Sequence, residues 1–202
     1  MLLLLFPICA YGQTNDKCWK KKYLNIGFVN TTLEQEGVPK LKSNYGASFT
    51  VGRTFYLHKK PVAKILKFGI DATWFDLNYT NYDVTHITYR DTYKFQIHEG
   101  EVGMQLGPSL TINPISKMNI HVYFRYAPSF SCFYADDEFQ GDFSNIIISG
   151  SSVSYGVIGL GIEWRHGSNK FEPFINTKDL ADDVGKVSMS TNGLRAYLRF
   201  NF

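Results

Sequence analysis

Gly193 to Phe202, GLRAYLRFNF, closes the chain. Leu194, Ala196, Leu198, Phe200 and Phe202 fall on one face of an extended strand, and Arg195, Tyr197, Arg199 and Asn201 fall on the other. That two-residue period belongs to a β-strand lying between two unlike environments. A soluble sheet produces it with the apolar face on a core. A membrane barrel produces it with the apolar face on lipid. The rest of the chain has to separate these two cases.

The totals narrow the field. At 202 residues the chain is long enough for one domain with its own core. A net charge of +3, with no basic stripe, gives no footprint for nucleic acid. Aromatic content is high at 16%, with 13 Tyr and 16 Phe, rings that suit strands and water–lipid interfaces. Beyond the N-terminus no apolar run approaches the ~18 residues of a membrane helix, so any membrane crossing has to be made by strands.

Residues 1–12, MLLLLFPICAYG, read as a signal peptide: Leu2 to Cys9 form a short apolar core, and Ala10 and Gly12 put small residues at a cleavage site before Gln13. Residues 13–202 are then the exported domain. Its two cysteines, Cys18 and Cys132, are expected at opposite ends of the fold, too far apart for a disulfide.

Alternation along the rest of the chain predicts strands at about 22–31, 44–57, 64–78, 93–112, 118–129, 151–164 and 170–177, before the final strand. A change of parity near His98-Glu99-Gly100 suggests a bulge in the fourth. Connections then alternate short and long. Segment 130–150 is expected as the longest loop, carrying Asp136, Asp137, Glu138 and Asp142 among several rings, and 165–169 as a short turn. The reading is an all-β, eight-stranded antiparallel up-and-down barrel. A lipocalin-like barrel would turn its apolar face inward around a ligand. The alternating loop lengths favour the outward arrangement. So do aromatics near strand ends, Trp74 and Tyr126 toward one rim and Phe55 and Trp164 toward the other.

With these residues in view, the chain resembles the small outer-membrane β-barrel proteins of Gram-negative bacteria, of the OmpA/OmpX architecture. The terminal Phe200-x-Phe202 is similar to that family's C-terminal assembly signal, though Tyr197 stands where the signal usually has Gly. The resemblance implies an outer-membrane location. It also implies contact with outer-membrane lipid and with the outer-membrane assembly machinery.

Two groups of residues could carry chemistry. Lys67, Asp71, Glu101, Gln105, His121, Arg125, Glu163, Arg195 and Arg199 fall on the polar, inward parity. In an eight-stranded barrel they would form a paired plug, because unpaired buried charge is costly. The second is His166-Gly167-Ser168-Asn169. This His-x-Ser-Asn resembles the motif of the outer-membrane lipid A 3-O-deacylases, which implies His166 as base and Ser168 as nucleophile. In that family an acidic residue on the last strand orients the His. Here Arg195 occupies the matching place, and the expected turn at 165–169 would put the pair at the wrong end of the barrel. Scattered His and Cys predict no metal site, and no cofactor motif stands out. The sequence reading is therefore a barrel with a structural or interaction role, not an enzyme. Segment 130–150 is its expected contact with an extracellular or periplasmic protein partner. A lipocalin-like carrier and a deacylase-like hydrolase are the alternatives.

Overall fold

The computed structural model describes residues 19–35, 40–87, 92–115, 117–135, 138–171 and 187–202. The expected signal peptide, Cys18 and most of the expected strand at 170–177 lie outside them. Eight strands form the fold: β1 (Lys22–Gln35), β2 (Leu41–Tyr56), β3 (Leu66–Ile87), β4 (Thr92–Ile115), β5 (Met118–Ala135), β6 (Glu138–Tyr155), β7 (Ile158–Phe171) and β8 (Val187–Asn201). Each pairs antiparallel with its neighbours in sequence. β8 returns to β1, from Tyr23 opposite Asn201 to Gln35 opposite Met189, and closes the barrel. A closed ladder leaves no strand edge, the condition for β-structure in lipid.

The polarity is inverted relative to a soluble protein. Phe28, Met104, Leu106 and Leu160 face outward, 54%, 57%, 58% and 66% exposed, whereas Arg125, Glu163 and Arg195 face inward at 0–1%. An apolar belt around a charged lumen is the membrane arrangement and excludes the lipocalin-like one. Where the inner face needs room, glycine supplies it. Tyr23, Tyr123 and Tyr197 lie over their cross-strand partners Gly52, Gly150 and Gly161, where any Cβ would overlap the tyrosine ring.

The far end of the barrel, opposite the termini, reverts to ordinary polarity. Leu33, Tyr82, Ile97, Phe133, Ala135 and Met189 form an apolar cluster inside it, and Lys42, Asp83, Lys94 and Gln96 are exposed outside. β4 has 24 residues and a membrane crossing needs about 9–11, so the strands stand well clear of the bilayer. This explains the apparent parity change at 98–100. Pairing there is continuous, from His98 opposite Tyr134 to Gly103 opposite Ser129. What changes is the surroundings of the strand, not its register. The irregularity lies in β3, between Thr73 and Asp76.

Three sequence expectations are corrected. Within segment 130–150 the described residues are no loop: 130–135 and 138–150 are the upper ladder of β5 and β6, with Ser131 opposite Asp142 and Phe130 opposite Phe143, while Asp136 and Asp137 lie outside the described residues. The strand expected at 151–164 is two strands, divided after Tyr155 at Gly156, whose φ of +64° is the left-handed turn conformation glycine adopts without strain. The turn expected at 165–169 is β7, paired on both flanks: Ser168 faces Asn145 on one side and Ser190 on the other. Gly-Ser-Asn has good turn chemistry, but two complete ladders override it. The rim assignment also shifts. Trp74 packs edge-on against Phe55, with 6.1 Å between ring centroids, so the two share one level of the outer surface.

Closure predicts the first test. Because all ladders are satisfied internally, an unheated sample in SDS is expected to remain folded and to migrate differently from a boiled one. Equal mobility, with solubility in plain buffer, would contradict the membrane barrel.

Candidate functional site

Two polar systems stand out, one inside the barrel and one on its outer surface.

Inside, the alternation of eight strands directs charged side chains into a lumen too narrow for them to avoid one another. Arg125 is the hub. Its guanidinium donates to Asp71 at 2.6 Å and to Gln105 at 2.6 Å, lies 3.4 Å from Glu163, and sits over the Tyr123 ring at 3.5 Å. Asp71 is also 2.9 Å from His121 Nε2 and accepts from Thr54 at 3.1 Å. Glu163 accepts from Arg195 at 2.7 Å and from Tyr123 at 2.7 Å. Arg195 donates in addition to Asp76 at 2.9 Å and to Asn78 at 2.5 Å. Glu101 accepts from Arg165 and, at 3.1 Å, from Asn78. Toward the terminal end, Lys67 lies 4.6 Å from the Trp19 ring centre and 5.2 Å from that of Tyr56, and Arg199 lies 4.0 Å from that of Tyr23.

All nine residues expected on the inner face are buried there. Sequence reasoning missed three more acids and bases. Asp76 is inward because the β3 irregularity shifts the parity, and the signal was Trp74-Phe75, two adjacent large rings that are both exposed. Arg165 was hidden by the supposed turn, although it continues the inward series Gly159, Gly161, Glu163. Glu99, accepting from Tyr82 at 2.5 Å, fell at the supposed bulge. Phe200 lies between Leu24 and Ile158 on the outer face, and Phe202 donates its backbone N–H to Lys22 at 2.9 Å.

The second system lies on the apolar face. Along β7, Ile162, Trp164, His166 and Ser168 all point outward. His166 faces Asn192 of β8 across the ladder, and its Nδ1 lies 2.6 Å from Asn192 Oδ1. The amide oxygen can only accept, so the hydrogen in this bond is the one on Nδ1. The imidazole is stacked on Trp164, 5.8 Å away with planes 14° apart, and stands between Trp164 and Ser168. Alternate strand residues are about 6.6 Å apart along one face.

The level of this group is telling. Outward residues change from apolar to polar here on three adjacent strands: after Phe28 come Asn30 and Thr32, below Ser190 and Asn192 lies Leu194, and above Trp164 come His166 and Ser168. The group therefore lies where the outer face of β7, β8 and β1 turns polar, on the half of the barrel away from the termini, while β6 beside it continues with exposed Phe143 and Phe139. One of the sequence arguments against it falls, since the pair is not in a turn near the termini; the other stands, since Arg195 faces inward onto Glu163 and the neighbour of His166 is the amide of Asn192, not an acid. That amide escaped notice because it stands in register with His166 and not at Arg195.

No protein-family model matches the chain, and no curated protein matches it. Solved structures do. The Neisserial surface protein A, NspA, aligns with a TM-score of 0.51 at 13% identity, over 90% of this chain and 97% of that one. The outer-membrane protease OmpT of Escherichia coli aligns at 0.48 and 9%, over 90% and 97%. The outer-membrane enzyme PagL aligns at 0.40 and 10%, over 88% and 99%. The fold is that of the outer-membrane barrels. With the inverted polarity, it makes this chain an outer-membrane protein. At these identities the likeness extends to the fold and no further.

Arg125→Ala tests the interior. It leaves Asp71 buried without its closest guanidinium, with His121 and the more distant Arg199 as the basic groups near it, and loss of one member of a buried charge pair costs about 3–5 kcal/mol. Unfolding in urea from detergent is expected to shift accordingly. Asp83→Ala, which removes only an exposed bond from Gln96, is expected to change stability by less than about 0.5 kcal/mol. Equal effects would mean that Arg125 is not in a packed interior.

Proposed function

We propose that this barrel is a serine hydrolase acting on an acyl ester of an outer-leaflet lipid. The observation that carries the proposal is the outward group Ser168, His166 and Asn192, with His166 Nδ1 held on Asn192 Oδ1 at 2.6 Å. Nucleophile, base and orienter are the parts an acyl transfer needs, and amides serve as orienters in other such triads. Location supports the same reading. An acyl ester lies between the hydrocarbon and headgroup layers, and these three residues lie where the outer face of β7 and β8 turns from apolar to polar. The His-x-Ser-Asn resemblance makes lipid A the first substrate to try.

In the reaction, Ser168 Oγ attacks the ester carbonyl while His166 Nε2 takes its proton. The tetrahedral intermediate collapses, the C–O bond to the lipid alcohol breaks, and His166 returns the proton to that alcohol. Water, deprotonated by the same nitrogen, then releases the fatty acid and restores Ser168. The interior charge network takes no part in this chemistry and holds the strands that carry it. The terminal Phe200 and Phe202 are the segment that the assembly machinery would read.

The structural or interaction role expected from the sequence drew on 130–150 as a long exposed loop. The described residues of that stretch are ladder, so the contact surface it would offer is a strand surface and not a loop.

Mass spectrometry of lipid A from cells with and without the protein tests the proposal. Expression is expected to remove one acyl chain, and Ser168→Ala to abolish this without loss of the folded, heat-modifiable barrel. The rate on purified lipopolysaccharide should fall on the order of 10⁴-fold or more. A folded protein that leaves every acyl chain in place would return the barrel to a non-enzymatic role.

A further inference from the structure

Along the lipid-facing part of β2 one side chain is charged. Phe49, Val51, Arg53, Phe55 and Leu57 alternate outward, with Gly52 and Thr54 buried on either side of Arg53. Apolar side chains continue past Arg53 toward the terminal rim, Phe55 and Leu57 on β2 and Phe68 and Ile70 on β3. A cation among lipid-facing side chains is costly, and residues of this kind mark functional contacts. Directly across from Arg53 on β1 stands Lys22, which is exposed on the same outer face. Like charges directly opposite one another on one face of a sheet repel.

Among the described residues no carboxylate pairs with either side chain. The acids are lumenal, as Asp71 and Glu163 are, or lie toward the far end, as Glu34 and Asp83 do. The Arg53 guanidinium lies 5.0 Å from the centre of the Phe55 ring. That contact turns the side chain toward the terminal rim and leaves its charge unbalanced, and its Nε is buried with no hydrogen-bond partner. The basic segment extends the ladder at this corner: Lys20 and Lys21 precede Lys22, and the Thr54 N–H donates to the Lys21 carbonyl at 2.7 Å.

We propose that Lys22 and Arg53 hold the phosphate of one anionic phospholipid in the leaflet nearer the termini. A guanidinium fork and an ammonium both suit a phosphate diester, and an anion placed between them turns their repulsion into a shared attraction. The acyl chains then lie on the apolar face beyond it, along Leu24, Ile26 and Val51. A place among lipid-facing side chains selects a lipid over a soluble acidic peptide. Two cations, with two more lysines beside them, disfavour a headgroup that carries its own ammonium. The site is at the opposite end of the barrel from Ser168 and is independent of its chemistry.

The test titrates the full-length protein, refolded in a neutral detergent, with phosphatidylglycerol or phosphatidylcholine. Native mass spectrometry counts the bound lipid, and the thermal unfolding midpoint follows stability. One phosphatidylglycerol is expected to bind in preference to phosphatidylcholine and to raise the midpoint. Arg53→Gln and Lys22→Gln are each expected to weaken that binding about fivefold or more, and Arg53→Lys to keep more of it than Arg53→Gln. Without lipid, Arg53→Gln is expected to leave the midpoint unchanged or raised, because it removes the like-charge pair. Lys117→Gln, which takes an exposed charge from between β4 and β5 at the same end, is expected to bind like the wild type. Four results would overturn the proposal. No preference for phosphatidylglycerol, or an equal loss in Lys117→Gln, would leave only diffuse charge attraction. Equal protection by inorganic phosphate would mean a site for any anion. An Arg53→Gln midpoint lowered equally with and without phosphatidylglycerol would mean that Arg53 serves only to pack on Phe55.

Discussion

The constraint on which everything else depends is closure. In the bilayer no water can take a backbone N–H or C=O, so β8 has to find β1. The ladder from Tyr23–Asn201 to Gln35–Met189 does this. Once the sheet is closed, every second residue faces the lumen, and the charges sent there bond to one another. That is why Arg125, Arg165 and Arg195 interleave with Asp71, Asp76 and Glu163 at 2.6–3.7 Å, and why Arg165 also pairs with Glu101. It is also why tyrosines lie flat over glycines: a lumen of fixed width admits a large ring only where the opposite residue has no side chain.

Much of this is legible in the sequence, because period-two alternation survives wherever the two sides of a strand differ. Strands β1 to β4, most of β5 and β8 can be read that way, and so can nine buried polar residues. What the alternation cannot carry is a change of environment along a strand. Above the bilayer the outside becomes water and the inside apolar, so Phe95, Ile97 and Phe133 sit on the inner parity that lower down holds Glu101, Gln105 and Ser131. A reader who takes apolar to mean outward sees a bulge at 98–100 and a loop at 130–150. In the described residues both are straight ladder. The real irregularity, at Trp74-Phe75, was visible only as two adjacent rings.

The error at β7 has a different origin. Gly167-Ser168-Asn169 scores as a turn by local chemistry, and Gly156 was read as one glycine of a strand. Local preference at a turn is worth little against a ladder bonded on both flanks, and the decisive quantity, register, is a property of pairs. With register known, Asn145, Ser168 and Ser190 fall in one row and Ile147, His166 and Asn192 in the next. Neither row can be read from β7 alone.

The outward group is also the place where the fold's own logic gives least reason for the residues found. Barrel stability needs apolar side chains facing lipid, and β7 supplies them up to Trp164. The choice of an amide at Asn192 has a chemical consequence. In the proposed reaction its Oδ1 would hold the imidazole as a carboxylate would, but it would not balance the positive charge that His166 takes on with the serine proton, so the transition state would rest more heavily on whatever stabilises the oxyanion beside Ser168.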